Sequence, residues 1–206
     1  MSQRIGGRAV VAVVCVGLAV AIAAPAWAQR GGGRSREGGA ATEAAASKKL
    51  YENKELGIRF AVPPGLELYT PESAGRYKSA FTERKIALLV NPLRVEDSVA
   101  VKYADGMKEA DLKSYQAILE SNPPQAKLPG YEKVSLAFVK IGKEGAEEAI
   151  DFVYKDTQNG ESTTIRQVVF VHNGRGFTLT CSAVTKDYGM ANREWFEVLL
   201  RQLEFN

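Results

Sequence analysis

The chain predicts an α+β fold, an antiparallel β-sheet built from hairpins and flanked by helices. Three observations predict it. In the second half, segments of two-residue apolar period are joined by the turn sequences TQNG (157–160) and Asn173-Gly174. Two other stretches, Ser98 to Glu120 and Ala191–Leu203, space their apolar residues at helical intervals. Short strand candidates with turn residues between them fill the rest, and no internal repeat is present.

The first 28 of 206 residues read as a secretory signal peptide. Arg4 and Arg8 supply the positive start, residues 9–24 are uncharged and apolar, and Ala26 and Ala28 place small residues before a cut after Ala28. The apolar run is short for a bilayer span, which takes about 20 residues. Cys15 lies inside that run, whereas an acylated lipoprotein cysteine ends it, so a lipid anchor is not expected. Residues 29–47, QRGGGRSREGGAATEAAAS, carry almost no large apolar side chain and predict a flexible spacer.

Residues 48–206 are expected to form a single domain, long enough to bury roughly 70% of the surface the unfolded chain exposes. The whole chain has 27 basic and 24 acidic residues. Arg4, Arg8, Arg30, Arg34 and Arg36, against Glu37 and Glu43, precede residue 48, which leaves 22 of each sign and no formal net charge in the domain. A nucleic-acid footprint needs a basic face, so no nucleic-acid partner is expected. After cleavage Cys181 is the one remaining cysteine, so an exported domain would stand without an intrachain disulfide.

Lys49–Asn53 and Gly57–Val62 predict a first strand pair across NKEL. Pro63-Pro64-Gly65 then ends a strand and turns the chain, because proline leaves the ladder and glycine permits the turn. Leu66–Tyr69 and Tyr77–Thr82 are short strand candidates. Lys85–Val95 reads as one long apolar strand, with Pro92 placing its far end at an edge or out of the ladder. From Ser98 to Glu120, Val99, Tyr103, Met107, Ala110, Ala117 and Ile118 approximate a helical stripe, weakened at Gly106 and stopped by Asn122-Pro123-Pro124. Tyr131–Ile141, Gly145–Lys155, Glu161–His172 and Arg175–Val184 predict four strands. In the last of them Phe177, Leu179, Cys181 and Ala183 alternate with Thr178, Thr180 and Ser182, one buried face and one more polar. Ala191–Leu203 closes the chain as an amphipathic helix, with Trp195 or Phe196, Leu199, Leu200 and Leu203 on one stripe.

NKELGIRFAVPPGLEL, KIALLVNPL, GYEKVSLAFVKIGKEGAEEAIDFVY, IRQVVFVHNGRGFTLTCSA and the closing LLRQLEFN follow one another in an order that resembles the PsbP/Mog-like fold. Within it they resemble the bacterial DcrB-like and PsbP-like envelope proteins. Leu66 stands where that family more commonly has tryptophan. The resemblance implies an α/β/α sandwich and a binding or assembly role, since relatives bind large partners. It supplies no shared catalytic motif, so no site residue carries over.

The residues that could do chemistry argue the same way. His172 is the only histidine, with no G-x-S-x-G and no second histidine to complete a triad or a metal pair; it is expected to be an exposed turn residue. Cys181, on the apolar side of its strand, is expected to be a small buried hydrophobe. Glu144, Glu147, Glu148, Asp151 and Asp156 form an acidic stretch, but strand alternation sends Glu147 and Asp151 one way and Glu148 the other. A glycosidase pair needs two acids facing one cleft. The eight tyrosines are expected mainly at the rim of the core.

No catalytic, cofactor-binding or metal residue is therefore expected. The expected function is that of an exported, non-enzymatic binding or assembly protein of the bacterial envelope, periplasmic or secreted, acting through contacts with another envelope protein or assembly. A small-molecule or lipid binder using the space between sheet and helix, or an acid-dependent envelope hydrolase, is the alternative.

Overall fold

In the computed structural model, residues 49–81, 84–158 and 160–206 are described; the expected signal peptide and spacer lie outside the described residues. Among the described residues, ten strands form two antiparallel sheets. The smaller contains β1 (Leu50–Asn53), β2 (Ile58–Ala61) and β10 (Glu204–Phe205), with β2 in the centre. The larger has seven strands: β3 (Glu67–Tyr69), β4 (Lys85–Asn91), β5 (Arg94–Asp105), β6 (Glu132–Ile141), β7 (Glu147–Gln158), β8 (Glu161–His172) and β9 (Arg175–Val184), in the order β3-β4-β5-β9-β8-β7-β6.

The turns behave as their residues require. Leu66 N–H donates to Pro63 O at 3.3 Å and Gly65 takes φ 81°, so Pro63-Pro64-Gly65 reverses the chain. Asn173 and Gly174, at φ 49° and 73°, supply the two left-handed residues of a tight hairpin.

Three expectations are corrected. Tyr77–Phe81, the described part of the Tyr77–Thr82 candidate, is not a strand: Gly75–Ala80 is a 3₁₀ turn, closed by Tyr77 N–H on Ala74 O at 2.8 Å, and it buries the Tyr77 ring against Leu88 and Val90. Lys85–Val95 is not one strand. Asn91 and Arg94 pair across Pro92 and Leu93, with Asn91 Oδ1 accepting the Leu93 N–H, so proline sits in a two-residue hairpin loop. Ser98 to Glu120 is not one helix. Its first part belongs to β5, Gly106 breaks the chain at φ 75°, and only Glu109–Ser121 is helical (α1). Val99, Tyr103 and Met107 are four apart, a spacing that suits two strand periods as well as about one helical turn.

The sheet is covered on both faces. One face packs Val99, Val101, Phe170, Phe177, Leu179 and Cys181 against Ile58 and Phe60 of the small sheet and against the closing helix. That helix runs from α2 (Tyr188–Ala191) through a π-helical stretch, Asn192–Phe196, into α3 (Glu197–Gln202), and buries Trp195, Phe196, Leu199 and Leu200. On the other face α1 sets Leu112 and Leu119 on Ile150, Phe152, Ile165 and Val169. The result is the sandwich of sheet between helices that the sequence predicts.

Candidate functional site

Alternation along β7 and β8 decides what the acidic stretch does. Glu147 and Asp151 point to the same face as Arg166 and His172, whereas Glu148 is exposed on the other. Arg166 is charged yet stands two residues from Val168, a core residue of the same face. Its Nε and Nη2 donate to the two oxygens of Asp151 at 2.9 and 2.7 Å, and its Nη1 donates to Asn192 Oδ1 at 2.8 Å and to Glu197. The guanidinium also lies over the Phe196 ring. Burial alone would push Arg166 down; the bonds to Asp151 and Glu197 carry it well above the usual guanidinium range. This cluster clamps the closing helix to the sheet beside a cavity of about 240 Å³ lined by Val139, Ile141, Arg166, Glu197, Leu200 and Arg201.

His172 departs from the expected exposed turn residue. Its side chain is 13% exposed, Nδ1 lies 2.8 Å from Glu147 Oε1, and the ring packs on Phe205 with centroids 4.9 Å apart. Nε2 lies 2.9 Å from Asn173 Nδ2. An open cleft of about 580 Å³ between this pair and the start of α1, Met107 to Ala110, lies at that end of the sheet. No serine or cysteine nucleophile lines it. Cys181 is fully buried as expected, and burial pushes its thiol up to about 12. Asp156 is buried, and Glu144 lies in the exposed turn before β7 at φ 63°. Among the described residues, no three His, Cys, Asp or Glu side chains are grouped to hold a metal ion.

The most open feature is β6. Among the described residues it ends the large sheet, has one neighbour, β7, and is exposed along most of its ten residues. Val134 and Phe138 are 50% and 36% exposed, and Ile118 of α1 is exposed too. Phe138 and Leu136 stand opposite Ile150 and Phe152, on the face α1 covers. Lys133, Lys140 and a bulge between Lys133 and Ser135 partly blunt this edge. At the other edge β3 has three residues.

No family model matches the chain, and no curated protein matches it in sequence. Solved structures do resemble it. Cyanobacterial PsbP from Synechocystis aligns over 84% of this chain and 98% of its own, at 12% identity and a TM-score of 0.51. The fold is PsbP-like. A Bacteroides thetaiotaomicron protein aligns over 77% of this chain at 14% identity and a TM-score of 0.53. The chain spans about half, 48%, of that protein's length. At these identities the PsbP-like likeness concerns the fold. Among the described residues, no helix is long and apolar enough to cross a membrane.

Sequence reasoning missed Arg166 and the short strand β10. The signal for Arg166 was available, a lone arginine in phase with Val168 and Phe170 of IRQVVFVH. No comparable signal marked Glu204-Phe205, whose pairing with β2 arises only when segments far apart in sequence meet.

Proposed function

We propose that the chain is an exported, non-enzymatic binding or assembly protein of the bacterial envelope, and that β6 is the edge that takes its protein partner. The observation that carries this reading is the open β6 edge with Val134, Phe138 and Ile118 around it. An exposed edge strand offers unpaired N–H and C=O groups to an extended segment, and side chains beside it select that segment. Large apolar residues beside an open edge add the buried area that main-chain bonds alone lack.

Two further features support it. The leader of residues 1–28 reads as an export signal, and the PsbP-like domain it would deliver is built as a sheet covered by helices. The acids that a hydrolase would use are committed elsewhere, Asp151 to Arg166 and Glu147 to His172. Site-specific photo-crosslinking in the envelope tests the reading. A crosslinker at Phe138 is expected to capture a defined protein, and Ser135→Pro, which disrupts the edge, is expected to abolish the adduct. No adduct at Phe138, or one that Ser135→Pro leaves intact, overturns it.

A further inference from the structure

The α1 face of the large sheet carries a polar strip between its two apolar clusters. One cluster lies under α1, and the other is Tyr77 with Leu88 and Val90 near the β3 edge. Between them β5 and β9 present Ser98, Lys102, Thr178, Thr180 and Ser182, the positions that alternate with core-facing Val99, Val101, Leu179 and Cys181. Lys85 of β4 stands directly opposite Lys102, and Lys102 directly opposite Thr178. In the next row Thr180 stands opposite Gln167, which accepts a bond from Gln125 Nε2 at 3.1 Å.

Two lysines side by side on neighbouring strands, one of them 2% exposed, are an unusual arrangement. Lysine is almost never fully buried unless paired. Like charges directly opposite destabilise a sheet. Among the described residues no carboxylate faces either ammonium. We propose that this strip is an oxyanion-binding site, in which Lys85 and Lys102 together hold one carboxylate or phosphate group of a small molecule, with the hydroxyls of Thr178 and Thr180 beside it. A single anion set between the two ammonium groups removes their repulsion and restores to Lys85 the partner its burial takes away. The hydroxyls are donors of the kind an oxyanion with several lone pairs requires. Burial, with the Lys102 charge added, pushes Lys85 down to about 8, and burial lowers Lys102 in the same direction, as unpaired cations would be. The site is independent of the β6 edge, from which β7 and β8 separate β9.

Calorimetric titration of the purified chain with inorganic phosphate and with succinate, against sodium chloride at matched ionic strength, tests the assignment. One-to-one binding of at least one oxyanion is expected, and the tighter of the two identifies the group the site takes. Lys85→Met and Lys102→Met are each expected to weaken binding about tenfold or more, while Lys113→Met, on the exposed side of α1, leaves it unchanged. Amide NMR of the unsubstituted protein supplies a readout independent of the variants, with shifts expected to centre on Lys85, Lys102, Thr178 and Thr180. Absence of binding by both oxyanions overturns the proposal. So does binding that both lysine variants retain, or shifts that centre elsewhere.

Discussion

Arg166 of β8 and Asp151 of β7, diagonal neighbours in the ladder, form a two-pronged ion pair, Nε to Oδ1 at 2.9 Å and Nη2 to Oδ2 at 2.7 Å. The Arg166 side chain is only 10% exposed, and the same guanidinium reaches Asn192 and Glu197 on the closing helix. One charged cluster therefore joins the sheet to the segment that covers it.

Removing Asp151 takes the two-pronged partner from a buried guanidinium and leaves it Glu197 as its counter-charge. Asp151→Ala is expected to cost about 1–3 kcal/mol in chemical denaturation. Replacing both residues together, Asp151→Ala with Arg166→Met, is expected to cost clearly less than Asp151→Ala alone. If the double variant were as unstable as the sum of the two single ones, the pair would not be coupled.

Cys181 is expected to be inert in the native protein. It is fully buried and its thiol is held up to about 12, so little thiolate exists at neutral pH. A thiol reagent should label it only at the rate of unfolding. Fast labelling without denaturant would show that β9 opens locally.

Lys85 carries a pH-dependent penalty in the protein free of any bound anion. Its folded value is lowered to about 8, whereas an unfolded lysine titrates near about 10.4. Between those values the unfolded chain binds more protons, so the Lys85 contribution to stability rises with pH; below about 8 the penalty is fully present. Lys85→Met is therefore expected to be more stable than the unsubstituted protein at pH 7, by on the order of 3 kcal/mol. The gap should shrink as pH rises from about 8 towards about 10. Comparing the two proteins at each pH cancels the opposing effect of Cys181 and the buried tyrosines, which both share. A gap that stays constant across this range would contradict the burial of a charged Lys85.

Gly142, just after β6, holds φ 79°, and a Cβ there would lie 2.5 Å from Phe205 Cε2 and 3.1 Å from Leu203 O. Gly142→Ala combines backbone strain with a clash against the chain end. It is expected to lower stability by about 1–3 kcal/mol, measured by thermal unfolding. The companion variant Phe205→Ala removes the ring contact but leaves Leu203 O, and it also loses the ring that packs on His172 and Phe170. It should therefore relieve only part of the loss when combined with Gly142→Ala.

Much of the second half was legible because its signals are local. TQNG and Asn173-Gly174 set the hairpins, two-residue alternation set which of Phe177, Leu179 and Cys181 face the core, and the closing stripe set Phe196, Leu199 and Leu203 inward. The first half was ambiguous for a stated physical reason. Apolar residues four apart, as at Val99 and Tyr103, fit a strand and a helix alike, and only pairing with β4 and β9 chose the strand. Tyr77 likewise looked like a strand residue, because its partner is a side-chain cluster and not a ladder.

By itself the sequence determined the charge balance of residues 48–206, the hairpin turns and the α+β class, since each depends on composition or on neighbours within a few residues. The tertiary structure decided which charges meet. It placed Asp151 on Arg166 and Glu147 on His172, set Lys85 against Lys102, and left β6 at the edge. Those relationships join residues far apart along the chain, and only strand order and register bring them together.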